Sequence, residues 1–109
     1  MQKPTSRWRR DLGEDPYFTD ENIKEVEAVL DQYVARLRQL EDTEDQLTFE
    51  LEIYEAVTAL NRIGGLYGRY PDLIETMERD ELAEFIINRA KEAGYNEHVD
   101  DITFDWRQW

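Results

Sequence analysis

His98 is the only histidine of the chain, and Glu97, Asp100 and Asp101 stand beside it. Those residue types could serve as a general base or a set of metal ligands. No serine or cysteine nucleophile lies near them in sequence, so an ordinary histidine in an acidic loop is the simpler reading. Asp100, Asp101 and Asp105 offer oxygen ligands, yet the calcium-loop pattern with its central glycine and closing glutamate is missing. The Glu-x-x-His pairs of di-iron helical bundles are also absent. Gly64-Gly65-Leu66-Tyr67-Gly68 has no lysine of the phosphate-loop type and reads as a helix stop. Carboxylates are so abundant that any acid/base pair could be picked out, which makes them uninformative about catalysis. These residues point to a binding protein rather than an enzyme, with no catalytic residue, metal or cofactor expected.

What the carboxylates do define is charge. The 109 residues hold 26 Asp and Glu against 13 Lys and Arg, a net charge of −13. Lys3, Arg7, Arg9 and Arg10 all fall in the first ten residues, which contain no acid. Residues 11–109 are left with 9 cations, 26 acids and a net charge of −17. Such a body repels nucleic acid and anionic membranes and steers a basic protein toward itself. Hydrophobic residues at 40% and aromatics at 12% are enough for a folded core, and the length suits one domain. The absence of cysteine fits a reducing compartment, and no apolar run reaches the roughly 18 residues of a membrane span. The expectation is a soluble, cytoplasmic protein.

The elements that must position this charge are helical. Residues 1–18 read as a basic, irregular arm interrupted by Pro4, Gly13 and Pro16, with Trp8, Leu12, Tyr17 and Phe18 available to dock it. Residues 19–109 read as the acidic helical domain. Thr19 or Asp20 caps a first long helix whose Ile23, Val26, Leu30, Tyr33, Leu37 and Leu40 form one buried stripe. Thr43 and Gln46 have capping-box spacing for a second helix, with Leu47, Leu51, Tyr54, Val57, Leu60 and Ile63 as its apolar face. Leu47, Phe49, Leu51 and Ile53 also alternate as a strand would, but the helical period continues through Asn61. Gly64 and Gly65 are placed for a left-handed cap.

A third helical region runs from about Pro71 to Ala93 and ends at Gly94, either as one helix or as a short helix or loop over 71–75 followed by a helix from 76. It presents Leu73, Ile74, Met77, Leu82, Phe85, Ile86, Ala90 and Ala93. Ile102, Phe104, Trp106 and Trp109 should dock the C-terminal stretch, and Thr103 could cap one last turn. The resulting fold class is all-α, a single-domain bundle of three main helices plus short terminal segments, with the first two helices antiparallel.

On that reading Glu27 and Asp31, Glu41 and Asp45, and Asp80 and Glu84 are like charges at i, i+4. Glu52 with Glu55 and Glu81 with Glu84 are at i, i+3. Each exposed pair costs about 0.2–0.5 kcal/mol, and few pairs such as Asp20 with Lys24 or Glu75 with Arg79 offset them. A partner rich in Arg and Lys would relieve that repulsion. The expected contacts are Glu41, Asp42, Glu44 and Asp45 at the helix hairpin, and Glu52 and Glu55 on the second helix. Tyr67, Tyr70, Asp72 and Glu75 follow, the two tyrosines as loop anchors.

Leu60-Asn61, then Leu73-Ile74-Glu75-Thr76 with Arg79 and Leu82 ahead of Phe85-Ile86, and finally Asp101-Ile102-Thr103 with Trp106-Arg107-Gln108-Trp109 carry a resemblance. Across about the C-terminal half, this pattern resembles small immunity proteins encoded beside bacterial polymorphic toxins, such as those of contact-dependent growth inhibition. The resemblance implies a stoichiometric inhibitor that binds one basic toxin domain, often a nuclease, and covers its active site or substrate groove. The alternatives are an acidic nucleic-acid mimic or an adaptor for a basic protein.

Overall fold

The computed structural model describes residues 3–40, 45–96 and 101–109. Four helices make up the fold: α1 (Thr5–Arg10), α2 (Asp20–Arg38), α3 (Gln46–Gly64) and α4 (Thr76–Ala93). No strand occurs among the described residues, so the all-α expectation holds.

The second helix follows its sequence signals most closely. Thr19 accepts from the Asn22 amide at 3.1 Å while Asn22 Oδ1 accepts from the Thr19 amide at 3.0 Å, closing a capping box. Ile23, Val26, Leu30, Tyr33 and Leu37 are all buried. The Tyr33 hydroxyl crosses to α4 and donates to the Ile86 carbonyl at 2.6 Å. Burial first, and then the nearby Glu52 charge, push the Tyr33 phenol up from its ordinary range.

α3 runs antiparallel to α2, since Arg36 meets Glu52 and Glu55 while Arg69, beyond the other end of α3, pairs with Glu25. Its start is capped by Asp45, which accepts from the Leu47 amide at 3.0 Å. Gln46 instead ties α3 to the end of α4, accepting from the Asn96 amide at 2.9 Å. Thr43 lies outside the described residues.

The buried face of α3 is not the one expected in its first half. Phe49, Ile53, Ala56, Val57, Leu60 and Ile63 are buried, whereas Leu47, Leu51 and Tyr54 are exposed. Both stripes have helical spacing, and the choice falls to the side carrying Phe49, which packs against Tyr95 with ring centroids 6.1 Å apart. Met77 is likewise exposed rather than buried.

The Gly64-Gly65 pair does not form a left-handed cap, because Gly65 is extended at φ −75° and ψ 175°. Its glycine is needed for close approach: a Cβ there would sit 2.5 Å from the Asn61 carbonyl oxygen. Gly94 at φ +123° does end α4 as expected.

The N-terminal segment departs most from expectation. Residues 5–10 form a helix, with Pro4 at its N-cap, where a missing N–H removes no helical hydrogen bond. Trp8 is completely buried and stacks on Phe18, centroids 5.4 Å apart with the planes within 7°. At the other terminus Trp109 is buried, its indole N–H reaching the Val57 carbonyl at 3.4 Å. The Trp109 carbonyl accepts from Arg79 Nε at 3.1 Å, so Arg79 fastens the tail instead of pairing with Glu75. Phe104 is exposed, and Asp101 caps the turn by accepting from the Thr103 amide at 2.9 Å.

Candidate binding surface

Part of the acidic surface is neutralised by the protein's own cations. α1 packs on α2, and its side chains reach acids of both α2 and α4. Arg7 Nη2 bonds Glu78 and Glu81, each at 2.6 Å, and Arg7 Nη1 bonds Asp11 at 2.8 Å. The Glu81 contact, followed by Glu78, raises the Arg7 guanidinium above its ordinary range despite the opposing effect of burial. Arg9 spans Glu27 at 2.6 Å and Asp20 at 2.9 Å, and Lys3 reaches Asp31 at 2.6 Å. Asp20 also takes Lys24 at 2.9 Å. The Glu27 and Asp31 repulsion inferred from helical spacing is therefore met inside the molecule, each acid holding its own cation.

These pairs give the fold an acid-sensitive component. Glu27 is lowered from its ordinary 4.5, chiefly by the Arg9 hydrogen bond, and Asp20 from its ordinary 3.8 by Lys24 first and Arg9 second. A carboxylate whose folded pKa is depressed contributes stability that is full above its unfolded pKa and is lost as pH falls through the folded one. Melting temperature should accordingly drop as pH falls below about 4.5, and Arg9→Gln should flatten that acid limb. An identical limb in wild type and Arg9→Gln would show that these contacts do not couple to folding.

The described residues among the sequence-derived contacts do not form one patch. Glu41, Asp42 and Glu44 lie outside the described residues, as does His98. Asp45 sits at the start of α3, while Tyr67, Tyr70, Asp72 and Glu75 follow its end. The 19-residue helix between them is about 28 Å long. Glu52 and Glu55 lie between these ends, in a groove of about 230 Å³ whose walls include Tyr33 and Ala56 of the facing helices. Arg36 and Arg62 line the same groove, and Arg36 stands 3.7 Å from Glu52 and 3.4 Å from Glu55, so the groove is charge-balanced. Tyr67 is almost fully exposed. Tyr70 is half-buried against the core, and its phenol is raised mainly by the neighbouring Glu25 carboxylate.

The acids that remain without a cation within 4.0 Å among the described residues include Asp72 and Glu75, then Asp80 and Glu84 on α4. Asp80 and Glu84 border a depression of about 310 Å³ floored by Ala83 and Ile87, with Asp101 and Lys91 at its rim. The i, i+4 spacing of Asp80 and Glu84 was visible in the sequence as repulsion. What singles the pair out is that α1 neutralises Glu78 and Glu81 on another side of the same helix, a pairing across more than 70 residues that helical spacing cannot reveal.

The fold and surface define a small all-α bundle with an acidic exterior, and among the described residues no helix is long and apolar enough to cross a membrane. No family model, curated protein or solved structure matches the chain.

Proposed function

We propose that this chain is an immunity-type inhibitor that binds a basic toxin domain, such as a nuclease, and occludes its active site or substrate groove. The observation that carries the proposal is the run of acids at Asp72, Glu75, Asp80 and Glu84, which have no cation within 4.0 Å among the described residues, while Lys3, Arg7 and Arg9 take up Asp20, Glu27, Asp31, Glu78 and Glu81. A domain that holds phosphates presents Lys and Arg, and those cations fit such a run. Complementary charge of this kind accelerates encounter and makes binding sensitive to salt, while desolvated anchors set the off-rate. Exposed Tyr67 is available as one such anchor.

The proposal predicts a toxin domain encoded next to this chain, and the test is titration of such a domain with the purified protein at low and high salt. The expected result is one-to-one binding that weakens steeply with salt. Asp72→Lys, Glu75→Lys, Asp80→Lys and Glu84→Lys in combination should weaken it by about a hundredfold at low salt. Absence of binding by the wild-type protein would overturn the proposal, and unchanged binding by the charge-reversed variant would move the contact elsewhere.

A further inference from the structure

α3 is apolar on two sides. One side, from Phe49 through Ile53 and Leu60, fills the core. The other is the run Leu47, Leu51 and Tyr54 at i, i+4, i+7, with exposures of 72%, 54% and 45%. At about 100° per residue this run points away from the buried face. Single exposed apolar side chains are ordinary, but three large ones aligned along two turns of one helix form a patch of the kind that interfaces use. The patch has a firm end, because Trp106 meets the Tyr54 ring edge-on with centroids 5.4 Å apart. The backbone at Trp106 is fixed in turn by Asn61, whose Nδ2 donates to the Trp106 carbonyl at 2.9 Å.

Charge decides what such a patch can receive. The same helical arithmetic sets Glu50 along one edge of the run and Glu55 along the other. Glu50 accepts from the Tyr95 hydroxyl at 3.3 Å, and Glu55, whose side chain is 52% exposed, stands 3.4 Å from Arg36. A second copy docking through this face would bring Glu50 and Glu55 toward their own duplicates in a chain of net charge −13. A cationic surface meets both carboxylate edges instead. The geometry points to a docking site for an amphipathic helical segment of a protein partner, with apolar residues at i, i+4 and i+7 seated on Leu47, Leu51 and Tyr54. Lys or Arg on either flank of that segment would face Glu50 and Glu55. This site rests on the proposed function only in taking the partner to be basic.

A synthetic helical peptide of about 18 residues, with Leu at those spacings and Lys on both flanks, tests the site by fluorescence anisotropy against the full chain. Leu47→Ser with Leu51→Ser should weaken peptide binding at least about tenfold without lowering the melting temperature, since both side chains are exposed. Glu50→Gln with Glu55→Gln should weaken binding and flatten its salt dependence, while Asp80→Asn with Glu84→Asn should leave it unchanged. Equal peptide affinity for the wild type and the double-serine variant would overturn the site. So would wild-type dimers that become monomers in that variant, which would make a second copy the occupant. If a toxin domain binds the wild type in a salt-sensitive way while the peptide does not bind it, the site falls and the inhibitor function stands. Peptide binding through Leu47 and Leu51 with no toxin binding at all would have the opposite meaning.

Discussion

Trp8→Ala should destabilise the protein by about 3–5 kcal/mol. The indole is completely buried, stacked on Phe18 and tied through Nε1 to Glu81 at 3.1 Å. Truncation removes the largest apolar side chain that α1 contributes and leaves Glu81 with one donor fewer. A six-residue helix has no stability of its own in water, so α1 persists only through its docking. Once it is released, Arg7 and Arg9 leave the acids of α2 and α4, and the body regains the repulsion they suppress. Trp8→Phe should lose less, because the stack on Phe18 is largely retained. Urea denaturation measures both, and a loss below about 1 kcal/mol for Trp8→Ala would show that α1 folds outside the cooperative unit.

The second large effect is expected at Arg7. Its guanidinium, with 23% side-chain exposure, joins Glu78 at 7% and Glu81 at 26%. Arg7→Met should cost about 3 kcal/mol, because it leaves Glu78, the most buried carboxylate among the described residues, without its counter-charge. The diagnostic step is the double variant. Glu78→Gln destabilises the wild type by breaking the pair, but in the Arg7→Met background it removes the stranded charge and should recover part of the loss. Additive losses in the double variant would mean that Arg7 acts by packing rather than by neutralising Glu78. Trp8 and Arg7 share Glu81, so their own effects should not add.

How much of this was legible in the sequence varied from helix to helix. α2 was, because its stripe from Ile23 to Leu37 and its cap at Thr19 agree at every level. α3 was legible as a helix but not in its orientation. Leu47, Leu51 and Tyr54 are as apolar and as well spaced as Phe49, Ile53 and Ala56, and only packing against Tyr95 and the rest of the core decides between them. α1 was hidden by reading Pro4 as an interruption when the first helical turn tolerates it. The candidate surface was legible as an excess of acid but not in its location. Local spacing registers Glu27 with Asp31 and Asp80 with Glu84 as equivalent repulsions, yet among the described residues long-range pairing neutralises the first and not the second. Glu52 and Glu55 were expected as open acids and prove to share a groove with two arginines.

The N-terminal helix can also be seen as a counter-ion that cannot diffuse away. The short connection of residues 11–19 keeps Arg7 and Arg9 at an effective concentration in the millimolar range around their carboxylates. A free cationic partner at micromolar concentration would need roughly a thousandfold higher intrinsic affinity to displace them. Those acids are thereby withdrawn from competition, and an incoming basic surface is left to sort among the faces that the tether does not reach. Selectivity between parts of one acidic surface can thus arise from connectivity alone, without any difference in the chemistry of the carboxylates.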